Sequence, residues 1–132
     1  LKKNYKTISK IIKKFNKKKI RTSLFINPNI EDIKLSKKIG THCVELHTGK
    51  LSTLIKKNKN YKNQLKKFSN CVNLANSLNL RVHAGHGMDY KTTRILSNLK
   101  YIEEFNIGHF LIGESIFDGL KKVVKKIKKL SK

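Results

Sequence analysis

Apolar positions in this chain fall in short blocks whose spacing alternates between three-to-four residues and two, which predicts helices and strands in turn. Tyr5, Ile8, Ile11, Ile12 and Phe15 form one stripe among lysines and predict a helix over 4–17. Ile20 to Asn27 is rich in β-formers and stops at Pro28, as a strand running into a loop would. Asn29 is placed to cap a second helix, with Glu31 and Asp32 at the positive end of its dipole and Gly40 closing it. His42 to His47 alternates as a second strand, and Thr48-Gly49 follows as a turn that lets backbone approach a ligand. Lys50 to Asn60 reads as a polar connection into a helix over 61–78, marked by Leu65, Phe68, Val72, Ala75 and Leu78, with Asn79 as a left-handed cap. Leu80 to Ala84 is the third strand and runs into Gly85-His86-Gly87. Asp89 then caps a helix over 90–99 whose inward residues are Ile95, Leu96 and Leu99. Glu104 to Ile107 is the fourth strand, and Gly108-His109 opens one long last helix carrying Ile112, Ile116, Leu120, Val123, Val124, Ile127 and Leu130.

Strands alternating with helices signify βαβ units and a parallel sheet, so the fold class is α/β. Four βα units behind a preceding helix match half of a (β/α)₈ TIM-type barrel and equally a small open sheet; periodicity does not separate the two. A length of 132 residues fits a single domain over 1–132. No apolar run approaches the roughly 18 residues of a membrane span. The helical stripe at the start, with no small-residue cleavage site after it, argues against a signal peptide, so the expected location is the cytoplasm. A chain that begins at Leu1 is expected to be a fragment or a truncated reading frame.

The net charge of +23 suggests a nucleic-acid binder until its make-up is considered. Of 31 basic residues 28 are lysine and 3 arginine, and Ile and Asn are abundant as well. Phosphate- and base-reading surfaces favour the bidentate arginine fork, so the excess reads as A- and T-rich coding rather than a specific nucleic-acid surface. Cys43 and Cys71 have neither metal-ligand spacing nor the density of a disulfide scaffold, and read as small, buried, reduced side chains.

The chemistry-bearing residues fall at or just past the C-terminal ends of the predicted strands: Glu45 and His47, His83 and His86, Asn106 and His109. That edge carries the active site in parallel α/β folds. Gly85-His86-Gly87 offers either an exposed imidazole beside amides free to meet a ligand or an ordinary glycine turn. Gly108-His109 precedes a helix, where free amides and the dipole bind phosphate, or where the histidine simply packs as a cap. Glu45, between Val44 and Leu46 and expected to point opposite to them, reads as a carboxylate buried among apolar walls that needs a function or an ion-pair partner. His42 and His47 lie on opposite faces of their strand with no ligand set to complete, so no metal is expected.

The segments T-S-L-F-I-N-P-N (22–29), V-E-L-H-T-G (44–49), R-V-H-A-G-H-G-M-D-Y (81–90) and F-N-I-G-H-F-L-I-G-E-S-I-F-D-G-L (105–120) resemble, in order and spacing, the strand-end motifs of the pyridoxine 5′-phosphate synthase family. The resemblance spans nearly the whole chain and places it in the C-terminal half of a (β/α)₈ barrel. It implies an oligomeric enzyme of vitamin B6 biosynthesis, with no metal or organic cofactor, that condenses 3-amino-2-oxopropyl phosphate with 1-deoxy-D-xylulose 5-phosphate. The products would be pyridoxine 5′-phosphate, phosphate and water. It further implies that His86 is the proton donor, that Gly87, Gly108 and His109 contact the aminoketone phosphate, and that Glu45 stabilises the transition state.

Three departures accompany it. The family's N-terminal half supplies two further bases and the cations for the second phosphate, and no segment here matches them; His83 replaces an expected asparagine; Glu114 stands where arginine is common. A half barrel is expected to expose two sheet edges and an unfilled apolar interior. The alternatives to a synthase are therefore an inactive truncated half barrel and, on charge alone, a basic nucleic-acid-binding module.

Overall fold

A computed structural model of the chain describes residues 1–131. After a short 3₁₀ turn the order is α1 (Tyr5–Lys17), β1 (Ser23–Ile26), α2 (Ile30–Ile39), β2 (Cys43–His47), α3 (Gly49–Lys56), α4 (Lys62–Ser77), β3 (Arg81–Gly85), α5 (Tyr90–Leu96), β4 (Ile102–Asn106), α6 (His109–Asp118) and α7 (Leu120–Leu130). The four strands form one parallel sheet in the order β1-β2-β3-β4.

That order settles what periodicity left open. Right-handed crossovers between strands that never reverse direction of travel all fall on one face of the sheet, whereas a doubly wound sheet reverses and carries helices on both. The core is one-sided accordingly. Leu24, Ile26, Val44, Leu46, Val82 and Ala84 pack with Ile33 of α2, Leu51 and Ile55 of α3, Phe68, Val72 and Ala75 of α4 and Leu96 of α5. The architecture is half of a (β/α)₈ barrel.

Local chemistry explains the elements. Asn29 caps α2 by accepting from the amides of Glu31 (2.8 Å) and Asp32 (3.4 Å), and Gly40 ends it at φ +89°. Asp89 caps α5 through the Thr92 amide at 2.8 Å. Phe68 is wholly buried, and removing a side chain of that size from water stabilises the fold by about 2–3 kcal/mol. Cys43 and Cys71 are free and buried, and burial pushes both thiols up from their usual range. Among the described residues no helix is long and apolar enough to cross a membrane.

Three expectations are corrected. The connection read over Lys50–Asn60 contains α3, because Leu51, Ser52 and Ile55 share a buried face that the surrounding lysines obscure. The single last helix is two, broken at Gly119 (φ +77°), and Ile112, Ile116 and Leu120 are exposed rather than packed inward. The face of the sheet opposite the helices is not apolar. Its register rows run Phe25, Glu45, His83 and Glu104, with Cys43 and Arg81 below and His47, Gly85 and Asn106 above.

Asn29→Ala should lower the unfolding free energy by about 1 kcal/mol, by leaving amides of the first turn without a partner. Urea denaturation midpoints compared at constant slope would measure it.

Candidate active site

Because all four strands run the same way, their C-terminal ends meet at one edge, and the polar face of the sheet opens there into a cavity of about 680 Å³. Its walls come from β1 (Phe25), β2 (Glu45), the end of α3 (Lys56), the loop after β3 (His86, Gly87, Met88), and β4 with the start of α6 (Asn106, Ile107, Gly108, His109, Phe110). The five residues singled out on the sequence, Glu45, His86, Gly87, Gly108 and His109, all line it.

Glu45 points away from Val44 and Leu46, as its place between them implies, and it is half-buried rather than sealed among apolar walls because the face it joins is polar. Its carboxylate crosses β3 and accepts a hydrogen bond from Asn106 Nδ2 at 2.7 Å. The crossing dictates the residue beneath. A Cβ on Gly85 would collide with Glu45 Oε1 and stand 3.0 Å from the Asn106 Cβ. Gly85 is therefore glycine for space. One carboxylate oxygen is engaged, and the group stays exposed enough to meet a ligand in the cavity.

His86 follows with φ +75° and Gly87 with φ +71°, two successive left-handed residues that turn the chain sharply out of β3. A non-glycine residue in that region is strained and needs support from its surroundings. Thr48, fully buried, provides it: its amide donates to the Gly85 carbonyl at 2.9 Å, and its hydroxyl donates to the carbonyls of Gly85 (3.1 Å) and His86 (2.5 Å). Ser52 of α3 donates in turn to the Thr48 hydroxyl at 3.2 Å. The His86 ring is thereby presented, exposed, at the cavity mouth.

Gly108 is the N-cap of α6 and makes no side-chain cap, so the first amides of that helix are free for an anion. A Cβ at Gly108 would meet nothing within 4 Å, so this glycine leaves open space over the helix end. Among the described residues, Lys56 brings the one ammonium group on the cavity wall.

His83 does not join the cavity. It is buried within β3, with Nδ1 3.7 Å from Glu104 Oε1. His42 sits below the site and accepts from the Thr22 amide at 3.2 Å. Asn106 was visible in the sequence as a polar residue at a strand end, but its bond to Glu45 spans 61 positions and no local pattern signals it. From sequence His47 was placed at the site's edge without a role and Thr48 and Phe25 were not placed there; in the structure Thr48 holds the His86 turn, Phe25 lines the cavity and His47 ends β2 beside it. Among the described residues no group of three or more histidine, cysteine or acidic side chains could hold a metal.

The family model for pyridoxal phosphate biosynthesis protein PdxJ matches residues 1–132. A pyridoxine 5′-phosphate synthase of Pelagibacter ubique is 59% identical over 129 residues, which cover 98% of this chain and 54% of that protein. Pyridoxine 5′-phosphate synthases of Zymomonas mobilis and Elusimicrobium minutum are each 41% identical, over 84% and 93% of this chain and over 43% and 50% of their own. The chain spans about half the length of the curated relatives it matches.

Gly85→Ala should push the Glu45 carboxylate off Asn106 and destabilise the protein by about 1–3 kcal/mol, as overpacking does. A crystal structure of the variant would check the displacement and thermal unfolding the cost; an unmoved carboxylate would contradict the crossing geometry.

Proposed function

The chain belongs to the PdxJ family of pyridoxal phosphate biosynthesis proteins, and on that premise we propose that it forms the C-terminal half of a pyridoxine 5′-phosphate synthase site. The substrates are 3-amino-2-oxopropyl phosphate and 1-deoxy-D-xylulose 5-phosphate, met in the cytoplasm by an oligomeric enzyme that uses no metal or organic cofactor. The observation that carries the reading is the convergence of a free helix N-terminus, an exposed histidine and a tethered carboxylate on one cavity.

Each group has a task. The phosphate of the aminoketone rests on the first amides of α6 at Gly108 and His109, beside Gly87, where hydrogen bonds and the helix dipole favour an anion. Fixing that end holds the amine and ketone in one place, so that much of the entropy of bringing two reactants together is lost on binding and not at the barrier. His86 at the mouth donates a proton to a hydroxyl oxygen, which then leaves as water. Building the pyridine ring needs imine formation, dehydration and aromatisation, and each moves a proton. Glu45, with one oxygen engaged by Asn106, turns the other toward positive charge that develops on an iminium nitrogen.

A second reading, a half barrel with no turnover of its own, is favoured by the unpaired edges of β1 and β4 and by the exposure of Phe25 (54%), Ile116 (78%) and Phe117 (89%). The same experiment separates the two. Pyridoxine 5′-phosphate formation is followed for this chain alone and for the chain joined behind the N-terminal half of the Pelagibacter ubique relative. Product from the joined protein is expected, and its absence would favour the second reading.

In that joined protein His86→Asn should lower kcat by about 100-fold or more without moving the unfolding midpoint; retained turnover would remove the proton-donor role. Gly108→Val has room in the fold yet fills the space over the helix end, so the KM for the aminoketone phosphate should rise roughly 10-fold or more, as expected for loss of a charge-assisted anion contact. An unchanged KM would take the phosphate away from α6.

A further inference from the structure

His47 ends β2 beside the cavity, and the function just described gives it no part. Its ring is nevertheless fixed on two sides. Nδ1 accepts a hydrogen bond from the Gly49 amide at 3.1 Å. An imidazole nitrogen that accepts carries no hydrogen, so the proton sits on Nε2 and the ring is uncharged. The face of the ring lies against His86, with centroids 4.4 Å apart and planes inclined by 30°. Phe25 closes the cluster, 5.2 Å from the His47 ring and 6.2 Å from that of His86. The two imidazoles meet over Gly49, where a Cβ would run into His47 and stand 3.3 Å from the His86 Cδ2.

We propose that His47 is a positioning residue for His86: a neutral imidazole, held in the Nε2–H form by the Gly49 amide, whose face fixes the plane of the His86 ring at the mouth of the cavity. The inference rests on the reading of His86 as the proton donor and adds the element that aims it. Thr48 secures the backbone of His86 through its carbonyl, but an exposed imidazole on a secured backbone still turns about χ1 and χ2 unless something meets its face. A charged neighbour would serve badly, because two cationic rings at this separation repel. An uncharged π-face can pack against the His86 ring throughout the reaction.

The test uses two variants of the 132-residue chain. His47→Phe keeps a flat ring and loses Nδ1; His47→Leu keeps apolar bulk and loses the flat face, so neither opens a large void. Long-range nitrogen–proton correlation spectra of the unsubstituted chain should show His47 protonated at Nε2 and bare at Nδ1. Scalar couplings should report a single χ1 rotamer for His86 in the unsubstituted chain and in His47→Phe, and averaging in His47→Leu. In the joined protein that forms product, His47→Leu should lower kcat by roughly 10- to 100-fold with the KM for the aminoketone phosphate unchanged, the signature of a misplaced reacting group. His47→Phe should stay within a few-fold of the parent.

A single His86 rotamer in His47→Leu, a proton on Nδ1 of His47, or a raised KM with kcat intact would each overturn the proposal. If no protein forms product while His86 is locked in the parent and averages in His47→Leu, the synthase reading fails and the positioning contact stands.

Discussion

Four parallel strands laid side by side in chain order must send every crossover to the same side. From that constraint the rest follows. One face of the sheet is given to helices and becomes apolar, through Val44, Leu46, Val82 and Ala84. The other is freed from packing and can hold Glu45, His47, His83 and Asn106, groups too costly to bury among hydrocarbon. All strand ends of one polarity fall at one edge, so residues 45 and 109 reach a single cavity although 64 positions separate them. The site is a consequence of the winding, and its details are the local means of holding side chains on that edge.

Those means rely on backbone more than on side-chain bulk. Gly85 is absent of side chain so that a carboxylate can pass over it, His86 and Gly87 turn through the left-handed region under the hold of Thr48, and Gly108 leaves the end of α6 uncovered. None of these depends on the protein's charge of +23. The charge acts at longer range, as a field that draws anions toward the molecule and weakens with salt. Oriented amides, unlike lysines on flexible stems, can select an anion at a defined place.

Much of this was legible in the sequence, and the parts that were not share a cause. Asn29 and Gly40 mark the ends of α2 because caps are local, and the glycines around His86 and before His109 mark the turns for the same reason. The family resemblance was carried by those turn segments. What escaped depends on contacts between distant positions. The environment of Glu45 was misjudged because the residues that share its face come from other strands, and its partner Asn106 lies two strands away. Helix α3 was hidden by lysines that cover a two-turn apolar face. The break at Gly119 was overlooked because the apolar period continues through it; the backbone at φ +77° interrupts a pattern that the side chains preserve. The interior face was expected to be an unfilled apolar surface, and it instead carries Glu45, His83, Glu104 and Asn106, residues whose shared face only the strand register reveals.

The central claim is that the edge where β3 and β4 end, under the N-terminus of α6, binds phosphate. Titrating the chain with inorganic phosphate while recording backbone amide resonances tests it without requiring turnover. Saturable shifts confined to Gly87, Gly108, His109 and their neighbours, and persisting at moderate salt, are the predicted result. Shifts spread over the lysine-rich faces of α1 and α7, disappearing as salt is added and leaving Gly108 and His109 unmoved, would contradict it.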